Sequence, residues 1–167
     1  MIRYATARDL DAITALHREA RATYYRGHLP DDAFEGPAEL ARSRQGWAAA
    51  VDRGDAVLCA ESDGALTGVA AFRPVGGAMT LTQLHVAPAH WRRGTGSRLH
   101  TACVEAWRAA GVAGARLEVF EHNARARAFY AHHGWVPDPV APRSGNHLVL
   151  RLAVTPEAAA RGERRVT

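Results

Sequence analysis

The sequence predicts an α/β (α+β) protein in which a central mixed sheet carries helices on both faces. Segments that alternate apolar and polar residues, as strands do, are interspersed with segments whose apolar residues recur at helical spacing. In chain order they give β-α-α-β-β-β-α-β-α-β-β, a pattern that a sheet between helices buries best. The 167 residues, 47% of them apolar, suffice for one domain with a core and are too few for two ordinary domains.

The N-terminal third predicts one strand and two helices. Residues 2–5 alternate as a short strand, and Thr6 with Asp9 has the spacing of a capping box for the helix that follows. One face of that helix is apolar: Leu10, Ile13, Leu16 and Ala20. A polar link over residues 24–36 leads to a second helix that begins at Pro37. This helix ends at Gly54, and its predicted buried side comprises Leu40, Trp47 and Val51.

The middle of the chain predicts three strands, over residues 56–61, 66–72 and 79–86. The first two flank Ser62-Asp63-Gly64, which is a hairpin turn signal. The third follows a turn rich in proline and glycine.

The C-terminal part predicts helices over 96–110 and 123–133, each followed by a glycine that suits a helix end. Asn123 is the expected N-cap of the second helix. Strands are expected over 116–120, 135–140 and 147–152. We therefore predict one domain over residues 1–155 and a flexible tail over 156–167.

The composition narrows the class of protein. All 21 basic residues are arginine, and they are scattered among acids, so the net charge of +4 does not indicate a nucleic-acid partner. No apolar run is long enough to span a membrane, and the N-terminus lacks a secretory apolar region, so we expect a cytoplasmic protein without a membrane partner. Cys59 and Cys103 lie in apolar segments and are expected to be buried free thiols. His132 and His133 end a helix, and no metal site is predicted.

The segment after the strand over 79–86 predicts a phosphate-binding loop. Arg92, Arg93, Gly94 and Gly96 come directly before a helix-forming run that includes Arg98. Glycine permits positive φ and close approach of a ligand, and the helix directs free N–H groups and the positive end of its dipole at the same place. Arginine side chains add charge that pairs with phosphate oxygens.

Two blocks resemble the GNAT superfamily of acyl-CoA-dependent N-acetyltransferases. The loop is similar to the family's Gln/Arg-x-x-Gly-x-Gly/Ala pyrophosphate motif, except that Trp91 stands at the Gln/Arg position. The second block, which matches the family's strand–Asn–helix–Phe-Tyr–Gly-aromatic pattern, runs from residue 117 to 123 and continues with Ala126, Phe129, Tyr130, Gly134 and Trp135. The resemblance implies a mostly antiparallel sheet of about seven strands.

The resemblance also implies how acetyl-CoA binds. In this family, the strand before the loop and the strand after its helix splay apart, and acetyl-CoA lies in the split. The pantetheine arm would pair with the backbone of Leu84, His85 and Val86 and contact the Asn123 carboxamide. The pyrophosphate would take N–H groups from the loop residues Arg92, Arg93, Gly94, Thr95, Gly96 and Ser97. No metal is implied.

The reaction assigns further roles. Amide formation from a thioester needs a neutral amine, a donor to the oxyanion and a proton for the leaving thiolate. The family position of Tyr130 implies that it supplies this proton. Glu118, at a position that is acidic in the ribosomal-protein N-acetyltransferase branch, is the first candidate for the base. An ion pair with an arginine would also explain it. His85 as the base, or no dedicated base, are the other possibilities.

The sequence defines the acceptor amine and the residues that bind it less clearly. The family implies that the segment after the first helix walls the acceptor pocket, so Tyr24, Tyr25, Asp31 and Asp32 are candidates, with Glu35 and Glu39 nearby. A solvated acidic loop is the simpler explanation of these carboxylates. A small-molecule amine and a protein N-terminus are both compatible acceptors. Many relatives are dimers, which makes a homodimer compatible with the resemblance.

Two other functions fit parts of the sequence. A non-catalytic module of the same fold that senses acyl-CoA would have the same loop. A dinucleotide-binding protein would explain Gly94 and Gly96 before a helix and an acid at position 118. However, Leu99 stands where that fingerprint has its third glycine, and Glu118 lies inside its predicted strand.

Overall fold

Local sequence signals define where most helices and strands begin and end. The computed structural model describes residues 1–155. Its strands are β1 (Ile2–Tyr4), β2 (Val57–Ser62), β3 (Ala65–Val75), β4 (Ala78–Val86), β5 (Gly114–Phe120), β6 (Val136–Pro137), β7 (Arg143–Ser144) and β8 (His147–Ala153). Its α-helices are α1 (Leu10–Tyr25), α2 (Asp32–Glu35), α3 (Pro37–Asp52), α4 (Thr95–Ala109) and α5 (Ala124–His132), with 3₁₀ turns at Ala7–Asp9 and Pro88–His90.

The strands form one mixed, mostly antiparallel sheet, which confirms the predicted fold class. Their order is β1-β2-β3-β4-β5-β8-β6, and β7 pairs with β8, so the sheet has eight strands where about seven were expected. β5 and β8 pair antiparallel, with Leu117 opposite Leu150. β4 and β5 pair in parallel, with Met79 opposite Ala115 and Thr80 opposite Arg116.

The described chain forms two compact units. The first comprises Met1–Phe72 and Gln83–His100. Its core is formed by α1 and α3 against β2 and β3, because their apolar residues lie on facing sides: Ala5, Ile13, Leu16, Trp47, Ala50, Val57, Cys59, Val69 and Ala71. The predicted hairpin turn is present, with Asp63 and Gly64 both at positive φ, as its two-residue connection requires.

The second unit comprises Arg73–Thr82 and the described chain from residue 101 to residue 155. Its core combines aliphatic residues with an aromatic cluster, in which the Trp107 ring meets the Trp135 ring edge-on at 6.4 Å and Trp135 meets Tyr130 at 6.0 Å. Cys103 is fully buried here, as Cys59 is in the first unit, and both thiols are free as predicted. Burial raises the pKa of each thiol to about 12.

Two predicted segments differ in the structure. The link over 24–36 contains α2, because Phe34 is 1% exposed and holds one helical turn against the core. The strand expected over 135–140 is reduced to β6, because Asp138 turns the chain. The Asp138 carboxylate accepts hydrogen bonds from the N–H groups of Val140 and Ala141, at 2.9 and 2.8 Å.

The predicted tail, residues 156–167, lies outside the described residues, and the single domain over 1–155 remains a prediction. Within the described part of the chain, none of the helices combines the length and hydrophobicity that crossing a bilayer requires.

Candidate active site

The predicted phosphate loop has a backbone suited to anions. Arg92 and Gly94 both adopt positive φ, at 61° and 79°, directly before α4 begins at Thr95. Left-handed residues at a turn bring successive N–H groups into a concave cluster, and the helix start adds N–H groups that have no acceptor within the helix. The sequence indicated this geometry for the glycine only; Arg92 provides the second left-handed residue.

The arginines of the loop differ from one another. Arg92 and Arg93 are exposed. The guanidinium of Arg98 instead folds back, with Nη1 donating to the Arg93 carbonyl at 3.2 Å and Nη2 to Thr95 Oγ1 at 3.3 Å. Arg98, which the sequence indicated as a partner for phosphate, therefore contacts the loop itself.

Leu84, His85 and Val86 are the last three residues of β4 and lead into the loop. The Val86 carbonyl accepts a hydrogen bond from Trp91 Nε1 at 3.0 Å. The Ala87 N–H donates to the Thr67 carbonyl of β3 at 2.9 Å. The end of β4 is thus fixed both by its neighbouring strand and by the loop that follows it.

His85 is a buried, uncharged imidazole. Its ring lies 4.7 Å from the ring of His17, and its Nε2 is 2.6 Å from Gln83 Oε1. Burial, reinforced by the charge of Arg21, lowers the pKa of His85 to about 3. His85 was one possibility for the base, and a ring whose pKa is this low accepts a proton poorly at neutral pH.

His17 belongs to the same buried cluster. Trp47 Nε1 donates to its Nδ1 at 2.9 Å, and the Ser43 hydroxyl lies 3.0 Å from the same nitrogen. Burial, His85 and Arg21 lower the pKa of His17 to about 2. Because Nδ1 accepts a hydrogen bond, the proton of the neutral ring lies on Nε2.

The acceptor candidates fall into an aromatic pair and an acidic pair. The Tyr24 ring is nearly parallel to the His85 ring, with an interplanar angle of 7° and centroids 6.5 Å apart. Tyr25 meets Tyr24 edge-on at 4.5 Å, and burial raises the pKa of its phenol. Asp31 and Asp32 lie at the start of α2, and both are exposed.

The two glutamates near this segment are held by arginines. Glu39 accepts from Arg21 Nη1 at 2.8 Å and from Arg42 Nη2 at 2.7 Å, and Glu35 pairs with Arg26. These ion pairs lower the pKa of Glu39. The structure therefore uses Glu35 and Glu39 to join the helices of the first unit.

Arg21 and His17 were not identified from the sequence as residues of interest. Arg21 is 8% exposed and also donates from Nη2 to the Phe34 carbonyl at 3.0 Å. The sequence did contain a signal for them, because His17 and Arg21 lie four positions apart on the face of α1 that buries Ile13 and Ala20. Polar residues on a buried helix face need partners, and that need is visible in the sequence.

In the second unit, Asn123 caps α5 as predicted. Its Oδ1 accepts from the Ala126 N–H at 3.2 Å. Because the cap uses the oxygen of the carboxamide, the NH₂ group is the end that can donate to a ligand carbonyl.

Tyr130 lies on α5 and is 8% exposed. Its ring packs edge-on against Phe129 and Trp135. Burial, and to a lesser degree Cys103, raises the pKa of the phenol above its ordinary value. The hydroxyl therefore keeps its proton throughout the neutral range.

Glu118 lies on β5, opposite Val149 of β8, and its side chain is 39% exposed. Its Oε1 is 3.1 Å from Arg116 Nη2, on the same strand. An ion pair with an arginine, the other explanation of Glu118, is therefore present.

The described residues contain no group of three or more His, Cys, Asp or Glu side chains placed to hold a metal ion. His132 and His133 end α5, and burial together with His132 lowers the pKa of His133.

The fold is that of the acetyltransferases that bind acyl-CoA. The family model described as acetyltransferase (GNAT) family matches residues 12–135, and the chain belongs to this family. The resemblance seen in the sequence is thereby confirmed. No curated protein sequence matches the chain significantly.

Solved structures show the same fold at low sequence identity. The PaiA N-acetyltransferase of Thermoplasma acidophilum, in complex with coenzyme A, is 19% identical, with a TM-score of 0.83 over 92% of this chain and 98% of that one. The ribosomal-protein-S18-alanine N-acetyltransferase of Escherichia coli is 21% identical, with a TM-score of 0.68 over 93% and 94%. The ribosomal-protein-alanine N-acetyltransferase of Brucella melitensis is 22% identical, with a TM-score of 0.66 over 92% and 99%.

Proposed function

We propose that this chain is an N-acetyltransferase that transfers the acetyl group of acetyl-CoA to a primary amine by direct attack in a ternary complex. One observation carries the proposal. In a chain of the acetyltransferase family, Arg92 and Gly94 take left-handed conformations directly before α4, which forms the backbone cluster that a pyrophosphate requires. The coenzyme A complex of the Thermoplasma relative supports the choice of donor.

The donor would be held mainly by backbone groups. The N–H groups from Arg92 to Ser97 would bind the pyrophosphate, and the pantetheine would pair with the backbone of Leu84, His85 and Val86. The Asn123 NH₂ group would donate to a pantetheine carbonyl. Because Val86 already accepts from Trp91, we expect Leu84 and His85 to provide most of the strand contacts.

The proposed reaction has three linked events. The amine nitrogen attacks the thioester carbon, and strand N–H groups near Leu84 and His85 stabilise the resulting oxyanion. The C–S bond then breaks, and the leaving sulfur takes a proton from the Tyr130 hydroxyl. The nitrogen gives up its extra proton to a base or to water, and a proton from solvent restores the phenol.

Glu118 is the candidate base. For this role its carboxylate must either separate from Arg116 or accept the proton while it still contacts Arg116. The neutral imidazoles of His17 and His85 are poor bases because their pKa values are far below those of amines. If Glu118 has no role, desolvation favours the neutral amine and water accepts the proton.

The acceptor in this proposal is a small-molecule amine or a protein N-terminus. The names of the Escherichia coli and Brucella relatives give ribosomal-protein alanine as their acceptor, which supports the second class. Tyr24, Tyr25, Asp31 and Asp32 are the residues we assign to the acceptor side. The two aspartates are its carboxylates, since Glu35 and Glu39 are engaged with arginines.

A screen of amines tests the function. Release of the CoA thiol is measured with acetyl-CoA and a panel of amino acids, polyamines, arylalkylamines and peptides with free N-termini. We expect turnover with at least one class, and its acetylated product is identified by mass spectrometry. Tight CoA binding without turnover on any amine would contradict catalysis and identify a binding module, and no CoA binding would contradict both.

A further inference from the structure

Trp91 connects the last residue of β4 to the phosphate loop. Its indole Nε1 donates to the Val86 carbonyl at 3.0 Å, across the 3₁₀ turn Pro88–His90. The Trp91 N–H also donates to the Pro88 carbonyl at 3.2 Å. The residue that begins the loop is therefore fixed by its backbone and by its side chain.

The other end of the loop is held from α4. Arg98 donates to the Arg93 carbonyl at 3.2 Å and to Thr95 Oγ1 at 3.3 Å, while its own N–H donates to the Gly94 carbonyl at 3.0 Å. Both side-chain contacts use acceptors of the loop. The N–H groups are the donors that an anion needs, and neither contact consumes them.

The contacts of Trp91 and Arg98 flank a residue with an unusual backbone conformation. Arg92 stands at φ 61°, in the left-handed region that residues with a Cβ rarely occupy. Such a conformation persists when its surroundings determine it. Arg92 lies between Trp91 and Arg93, whose contacts with Val86 and Arg98 fix the chain on both sides.

We propose that Trp91 is a positioning residue whose indole N–H, together with the Arg98 guanidinium, pre-forms the anion-binding loop before the ligand arrives. The family motif has Gln or Arg at this position, and here the side chain serves the backbone of the loop. This inference rests on the proposed function, because it takes the pyrophosphate of an acyl-CoA as the ligand of the loop.

The test compares Trp91→Phe with the wild type in the full chain. Phenylalanine retains an aromatic ring and removes the donor. Hydrogen exchange of the Ala87 and Arg98 amides, which donate to the Thr67 and Gly94 carbonyls at the two ends of the segment, is measured in the free protein, and the Kd of CoA is measured by calorimetry. The net free energy of one hydrogen bond corresponds to a factor of about 3 to 10 in an equilibrium constant. The exchange rates should therefore rise, and the CoA affinity fall, by similar factors. The kcat at saturating acetyl-CoA should stay the same while KM rises.

Ala89→Ser, in the exposed part of the same turn, is the control and should change neither quantity. If Trp91→Phe leaves both the exchange and the Kd unchanged, the indole only packs and the proposal is wrong. If CoA affinity falls while exchange in the free protein does not change, the indole contacts the ligand directly, which also overturns it. If the wild type binds no CoA, the proposed function fails, whereas the exchange measurement still decides whether Trp91 braces the loop.

Discussion

At the scale of single residues, Tyr130 carries the most direct prediction. Its hydroxyl keeps its proton because burial raises the pKa of the phenol, so the donor form is present at every physiological pH. Tyr130→Phe removes this proton and retains the ring that packs on Trp135. We expect kcat to fall by roughly 10²-fold, with the Kd of CoA unchanged.

Tyr4→Phe is the matched control, because Tyr4 lies on β1 and is 47% exposed. It removes the same atom from the surface and should leave steady-state kinetics unaltered. Normal turnover by Tyr130→Phe would remove Tyr130 from the mechanism.

Glu118 permits a second test at this scale, since its carboxylate is either a base or one half of an ion pair. Glu118→Gln should lower kcat/KM about 10²-fold near neutral pH if it accepts the proton of the amine. The loss should shrink as the pH rises, because the free amine then loses its proton without help. Arg116→Gln breaks the same pair from the other side, and equal, small effects of both variants would assign Glu118 a structural role.

At the scale of elements, Gly68 allows β3, β4 and α4 to approach one another. A Cβ at this position would lie 2.8 Å from Leu99 Cδ1 and 3.1 Å from the His85 carbonyl oxygen. It would also lie 3.2 Å from Thr95 Cγ2, at the start of α4. Because residue 68 has no side chain, the start of α4 can pack closely on β3 and β4.

Gly68→Ala should therefore destabilise the protein by about 1–3 kcal/mol, the usual range for overpacking. Because the displaced atoms belong to β4 and to the first turns of α4, CoA affinity should fall as well. Gly46→Ala is the control: Gly46 lies in α3, no atom outside the adjacent helix backbone lies within 4 Å of its added Cβ, and alanine favours the helix. Urea denaturation and calorimetry with CoA measure both variants, and a Gly68→Ala protein as stable as the wild type would contradict the packing argument.

The sequence predicted those helices and turns whose boundaries are set by residues close to them in the chain. Pro37 begins α3, Asn123 caps α5, and Asp63 with Gly64 turns the hairpin, because each of these signals acts within a few residues. The short elements were missed for the opposite reason. α2 exists because Phe34 is buried, with the Tyr25 ring at the end of α1 5.9 Å away, and such tertiary burial has no local signature.

The candidate site shows the same division. The loop and the Asn123–Tyr130 block were recognisable because their residues are close in sequence. The cluster around His17 was not, since Trp47 lies 30 positions from it and Glu39 lies 18 positions from Arg21. Trp91 was recognised only as a departure from a motif, and its contact with Val86 required the structure.

At the scale of the whole molecule, the buried imidazoles of His17 and His85 link stability to pH. In the folded protein their pKa values are about 2 and about 3, whereas an unfolded histidine titrates near ~6.5. As the pH falls below ~6.5, the unfolded chain therefore binds protons that the folded chain does not bind, and the free energy of unfolding decreases. Above ~6.5 both states hold neutral rings, and this contribution to stability is fully present.

We expect the free energy of unfolding to fall by about 2–4 kcal/mol between pH 7.5 and pH 5 because of these two groups. The variant His17→Asn/His85→Gln places an amide near each hydrogen-bonding ring nitrogen, Nδ1 and Nε2, and removes the titration. Urea denaturation across this range should show a flatter pH dependence for the variant, whatever its stability at pH 7.5. His28→Gln, at an exposed position, is the control and should retain the wild-type slope. A double variant with the same slope as the wild type would show that His17 and His85 are not buried in neutral form.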